Sequence, residues 1–224
     1  MPTSTDALGR LIRRQLPDAF LRRALQAVFV AHNDAWTYTS SAFAPSEAAN
    51  VVGFIRRAHL EANLRAVAEL VPGFAVETVN GPDSNWNHVE VHNDPVVLTA
   101  NSVPYPCGMV DPANFRETLA EGNQLSFWDD DARPQAAELF VVLLHSKYRG
   151  PDGAGDRSHA HLPGSAYIAC PSPGFKSYLW ELNLFDAYPG VVQQYIPNSW
   201  DQEARVHYHN RSRKSTWQAY RLGA

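Results

Sequence analysis

The sequence predicts an α+β fold, with N-terminal helices packed on a mostly antiparallel β-sheet. Three observations lead there. Apolar residues recur at helical spacing over the first seventy residues, the spacing switches to alternation after Pro72-Gly73, and short turn signals join the strands that follow. Helices that precede a run of hairpin-linked strands pack against the sheet as a group instead of alternating with it.

In chain order, Leu8, Leu11 and Ile12 mark a first helix. Pro17 suits the first turn of a second, where a missing N–H is no loss and its fixed φ is already helical. Phe20, Leu21, Leu25, Val28 and Phe29 form that helix's apolar stripe, Arg22 and Arg23 lie off it, and Asn33-Asp34 is expected to end it. A Ser/Thr/Ala stretch with Trp36 and Tyr38 then connects to Pro45-Ser46-Glu47. From there Val51, Val52, Phe54, Ile55, Leu60, Leu64, Val67, Leu70 and Val71 describe a long amphipathic helix that Pro72-Gly73 stops. Strands are expected over 74–79, 86–92 and 96–100, separated by Asn80-Gly81-Pro82-Asp83 and Asn93-Asp94-Pro95. The apolar runs 139–144 and 166–170 read as central strands covered on both faces. Three segments follow: helices over 1–72, a sheet core over 73–202 with a helical excursion at 104–134, and a basic tail over 203–224. Within the excursion Asp111 would cap a short helix, Pro112 open it, Phe115 and Leu119 face inward, and Gly122 end it.

Composition removes several classes. With 45% hydrophobic residues the chain has material for a full core, and its net charge of -4 gives no global attraction to nucleic acid. The tail is the exception, because Arg205, Arg211, Arg213, Lys214 and Arg221 stand against Glu203 alone. It is either a solvated face or, through Arg205, Arg211, Arg213 and Lys214, a phosphate-contacting segment. Cys107 and Cys170 are too few and too far apart for a disulfide framework or a cysteine-rich zinc module, and two lone buried thiols are expected. No apolar run has the character of a signal peptide or the length of a membrane span, so a cytoplasmic protein is expected. The glycines of 149–158 lack the context of a phosphate-binding loop. Ser165 lacks a nucleophile elbow, neither cysteine sits in an activated arrangement, and Glu138-Leu139-Phe140 lacks the lysine of a nuclease Glu-x-Lys pair.

After Gly122 comes Gln124-Leu125-Ser126-Phe127-Trp128, with Asp129-Asp130-Asp131 directly behind it. An apolar cluster capped by charges is unusual in a connecting segment. It is either a buried edge of the core or a peptide presented to a partner's groove. The five residues resemble the bacterial sliding-clamp-binding peptide, although Phe127 stands where Leu is usual and Trp128 where Phe is usual. That resemblance implies Leu125, Phe127 and Trp128 inserting into a groove, with Gln124 orienting the peptide through hydrogen bonds. Over residues 88–186 the order His88-Val89-Glu90-Val91, Pro95 to Ala100, Phe115 to Leu119, Gln-Leu-Ser and Val141 to His145 is similar to an uncharacterised bacterial family linked to regulator and antitoxin genes. The similarity implies a toxin that acts on DNA replication through the clamp, with a cognate antitoxin as a second partner.

Six of the nine histidines come in close pairs: His88/His92, His159/His161 and His207/His209. In His88-Val89-Glu90-Val91-His92 the alternating valines favour a strand, which puts all three polar side chains on one face. His88 and His92 would lie about 13 Å apart, too far to share an ion whose bonds to nitrogen are about 2 Å. The usable unit is therefore Glu90 with one of them plus a donor from elsewhere, and His145, His159 and His161 are the candidates. Such a site suits a zinc, iron or manganese hydrolase or nuclease, in which Glu90 could otherwise serve as general base. The alternative is a polar strand surface. The leading expectation is a protein-binding module that contacts the sliding clamp through Gln124, Leu125, Phe127 and Trp128. The competing one is a metal-dependent hydrolase or nuclease built on His88, Glu90, His92 and His145.

Overall fold

The computed structural model describes residues 4–80, 87–106, 108–111, 113–123, 138–148 and 159–196. The pentapeptide 124–128, the stretch 149–158, the tail from 203, Cys107, Pro112, His207 and His209 lie outside the described residues.

Three helices come first: α1 (Ser4–Gln15), α2 (Asp18–Ala42) and α3 (Pro45–Leu70). Pro17 precedes α2 and Pro45 opens α3, each where an N–H would have no intrahelical partner. Helix α2 does not end at Asn33-Asp34 as expected. Its buried stripe continues through His32, Ala35 and Thr39, and Thr39 Oγ1 donates to the Ala35 carbonyl at 2.7 Å. Packing along that stripe overrides the turn preference of Asn and Asp. Trp36 and Tyr38 are consequently helical. On α3 the buried stripe is Ala48, Arg56, Leu60, Leu64, Val67 and Ala68, while Phe54 and Leu70 are exposed.

The strands are β1 (Ala75–Asn80), β2 (Asn87–Asn93), β3 (Val96–Ser102), β4 (Leu139–Lys147), β5 (Pro163–Pro171) and β6 (Tyr178–Asn183). They lie side by side in chain order, and every neighbouring pair is antiparallel except β3 and β4. That parallel pair needs a crossover, and α4 (Asn114–Glu121) lies within it. Gly122 follows α4 as expected, but Ala113 rather than Asp111 is its N-cap residue. Strand β6 and the short helices α5 (Leu184–Ala187) and α6 (Pro189–Tyr195) complete the described chain.

Register sorts the sheet into two faces. Val91, Leu98 and Val141 are successive partners across β2, β3 and β4, and they belong to the core shared with α1, α2, α3, α5 and α6. Leu144, Val142 and Phe140 point the other way, into a smaller core with Tyr167, Ala169, Val110 and Ala120 on the α4 side. β4 is buried along its length except at Lys147, as expected of a strand covered on both faces. The segment 1–72 and the sheet therefore share one hydrophobic core.

Candidate functional site

The polar row predicted on β2 is present and faces α4. His88 Nε2 lies 2.9 Å from Glu90 Oε1, and His92 Nε2 lies 3.3 Å from Glu90 Oε2, at an angle too poor for a full hydrogen bond. Glu90 thus sits between two imidazoles, which hold its carboxyl down to about 2. The close Glu90 carboxylate in turn raises His92 above its ordinary value. From α4, Phe115 stacks on His88 with ring centres 4.1 Å apart, and the Arg116 guanidinium lies over Phe115 at 5.0 Å. Arg116 also donates to Asn101 Oδ1 at 2.9 Å and to the Asp111 carbonyl.

His145 does not join this row. Glu90 shares its face with Thr99 and Val142, whereas His145 is three residues beyond Val142 on β4 and faces the α2/α3 side. The expected grouping of His88, Glu90, His92 and His145 is therefore split by the sheet itself. The physical reason is parity, since an odd separation along a strand reverses the face. Among the described residues no three His, Cys, Asp or Glu side chains gather as a metal-ion set.

What His145 does meet is a buried cluster beneath α3. His32 Nε2 from α2 lies 3.0 Å from His145 Nδ1, with the rings at 82° to one another. Arg56, one turn before Leu60 on α3, completes it. Burial and then the Arg56 charge hold His145 down to about 3. Burial holds His32 well below its ordinary value, Arg56 and His145 add to this, and the Leu162 backbone pulls weakly the other way. Both imidazoles are neutral at physiological pH. A nearby Leu162 carbonyl favours a proton on His32 Nδ1, although that nitrogen has no well-aligned partner. Across the His32–His145 contact one neutral imidazole donates and the other accepts.

Arg56 itself is only 6% exposed, and its Nε is buried without a hydrogen-bond partner. Burial lowers its guanidinium to about 10, so it remains charged at neutral pH. A cation on an otherwise apolar stripe, with no carboxylate partner among the described residues, is costly to retain.

Two cavities flank this cluster at the C-terminal ends of β3 and β4. One, of about 490 Å³, is lined by His145, Ser102, Asn101, Asp111, Arg57 and Glu61 among others. Its Arg57 is already paired with Glu61 at 2.7 Å. The other, of about 450 Å³, lies between α2, α3 and the end of β4, and Arg56 and Lys147 both line it. Among the described residues no Asp or Glu side chain does. Its remaining walls include Trp36, Phe43, Pro45, Ala48 and Val52. The end of β4 is set by a bulge, where the register slips between Ser146 and Lys147 and skips Gly164. A Cβ at Gly164 would meet the Lys147 carbonyl oxygen at 2.5 Å, so the bulge requires glycine.

Comparison with known proteins finds no matching family model, no similar curated protein and no similar solved structure.

Sequence reasoning placed His88, Glu90 and His92 correctly on one face but missed His32 and Arg56. The signal for both was periodicity. Arg56 stands four residues after Val52 and four before Leu60, and His32 continues the Val28–Phe29 stripe of α2.

Proposed function

We propose that the protein binds a small anion in the cavity between α2, α3 and the end of β4, with Arg56 as its principal contact. The observation that carries this reading is Arg56 itself, a charged side chain on a buried stripe with an unpartnered Nε at a cavity wall. Folding sets this cation against two neutral imidazoles and, among the described residues, no carboxylate in the cavity wall, an environment that an anion completes and a metal cation would not. Lys147 supplies a second positive charge to the same space. The cavity lies beyond the carboxyl end of β4, where Lys147 and Tyr148 line it.

The test compares the thermal midpoint of the protein in rising acetate or phosphate, at constant ionic strength set with chloride. A ligand of the folded state raises the midpoint in proportion to the logarithm of its concentration. The wild-type protein should show that rise and Arg56→Met should not. An identical response in both proteins would overturn the reading.

A further inference from the structure

The same cavity has a direction, and its direction indicates what kind of anion fits. Helices α2 and α3 meet at a tight connection, Phe43-Ala44, and run antiparallel away from it. The cavity is lined from that connection inward, by Phe43 and Pro45 at the mouth of the hairpin, then Ser40, Ala48 and Ala49, then Trp36 and Val52, and finally Arg56. At 1.5 Å per helical residue, Pro45 and Arg56 are separated by roughly 16 Å along α3. The buried cation thus closes one end of an elongated space whose other walls are mostly aromatic and aliphatic. Ser40 is the only hydroxyl that α2 and α3 contribute.

We propose that the ligand is an amphipathic monocarboxylate, with its carboxylate on Arg56 and its apolar body along Trp36, Val52 and Phe43. This rests on the anion-binding reading above. Three features select this chemistry. A guanidinium presents a planar fork of donors that matches a carboxylate with two parallel hydrogen bonds. The channel leading to it buries apolar surface, which favours a ligand with an apolar body over a compact inorganic ion. A guanidinium turns one fork toward an anion, so a phosphate dianion would leave its remaining oxygens facing mostly apolar walls, desolvated at a cost. Trp36 and Phe43 provide flat surfaces suited to an aryl or alkyl chain.

Calorimetric titration of the full chain with 4-phenylbutyrate, the neutral isostere 4-phenylbutanol, acetate and phosphate tests this. The expected result is one site per chain for 4-phenylbutyrate, with affinity at least tenfold above that for each of the other three. Arg56→Met should weaken 4-phenylbutyrate at least tenfold and leave 4-phenylbutanol unchanged. Lys147→Gln, a substitution at an exposed residue that leaves the core intact, should weaken it severalfold and supplies the test if Arg56→Met does not fold. Trp36→Ala should weaken the aryl acid while leaving acetate unaffected. Acetate or phosphate binding as tightly as 4-phenylbutyrate, and losing affinity in Arg56→Met, would overturn the amphipathic assignment while the anion site stands. Absence of binding by all three anions would overturn both.

Discussion

Replacing Arg56 with methionine removes a charge but keeps a long, unbranched, helix-compatible stem on the buried stripe of α3. Burial lowers the Arg56 guanidinium well below its ordinary value, to about 10. A displacement of that size means that the folded environment disfavours the charged form by on the order of 3 kcal/mol. Part of this is returned by contact of the guanidinium with cavity water, so Arg56→Met should stabilise the empty protein by about 1 to 3 kcal/mol. For a chain of this length the thermal midpoint should rise by roughly 2 to 12 °C. Equilibrium urea denaturation gives the free energy directly, once two probes are shown to report one transition. The histidines give an independent reading. Because Arg56 is the second cause, after burial, of the low value at His145, its removal should move that imidazole upward in an NMR titration. A variant less stable than wild type by about 1 kcal/mol or more, with His145 unmoved, would refute the reasoning. Arg56 would then be part of the structural core, held by contacts that its charge improves.

Three further outcomes are expected. Asn123 is fully buried, donates to the Phe140 and Pro171 carbonyls at 2.8 and 2.9 Å and accepts from the Phe140 N–H at 2.8 Å. Asn123→Ala strips partners from three backbone groups and should cost about 3 kcal/mol in urea denaturation; a loss under about 1 kcal/mol would mean that water replaces the amide. At Glu90 the sign follows from its neighbours. A carboxyl held down to about 2 contributes stability that is present above 4.5 and lost as pH falls toward 2. The raised His92 contributes stability that is present below 6.5 and lost as pH rises through its folded value. The stability gap between wild type and Glu90→Gln should therefore be largest between pH 4.5 and 6.5, and a gap that stays flat from mildly acid to alkaline pH would contradict the coupling. For the pentapeptide, we propose on its sequence alone a sliding-clamp contact. Leu125→Ala combined with Phe127→Ala should abolish capture of purified clamp with the thermal midpoint unchanged, whereas a large fall in midpoint would assign both side chains to the core.

The helices and most of the sheet were legible because their periodicity is local. Alternation in 88–92 gave the shared face of His88, Glu90 and His92 without any tertiary information. The end of α2 was misread because Asn33 and Asp34 are turn formers by intrinsic preference, while the burial of His32, Ala35 and Thr39 that carries the helix past them is tertiary. β6 went unread although Tyr178, Trp180 and Leu182 alternate with other residues. It is a short run whose residues are mostly half-buried, so its pattern carries little contrast. The candidate site was the least legible part. Placing His145 opposite Glu90 requires knowing that β3 and β4 are parallel and in which register, and neither can be read from either strand alone. Arg56 could be found by period but not interpreted, since an arginine on an apolar stripe gains meaning only from the cavity beside it.

The most direct test of the anion site is an anomalous difference map from crystals grown with 4-iodobenzoate. The iodine marks the apolar end of the ligand, and the density around Arg56 marks the other. The prediction is an iodine peak against Trp36 and Val52, with the carboxylate forked on the Arg56 guanidinium. An empty cavity at saturating 4-iodobenzoate, or a carboxylate of the protein itself seated on Arg56, would contradict it.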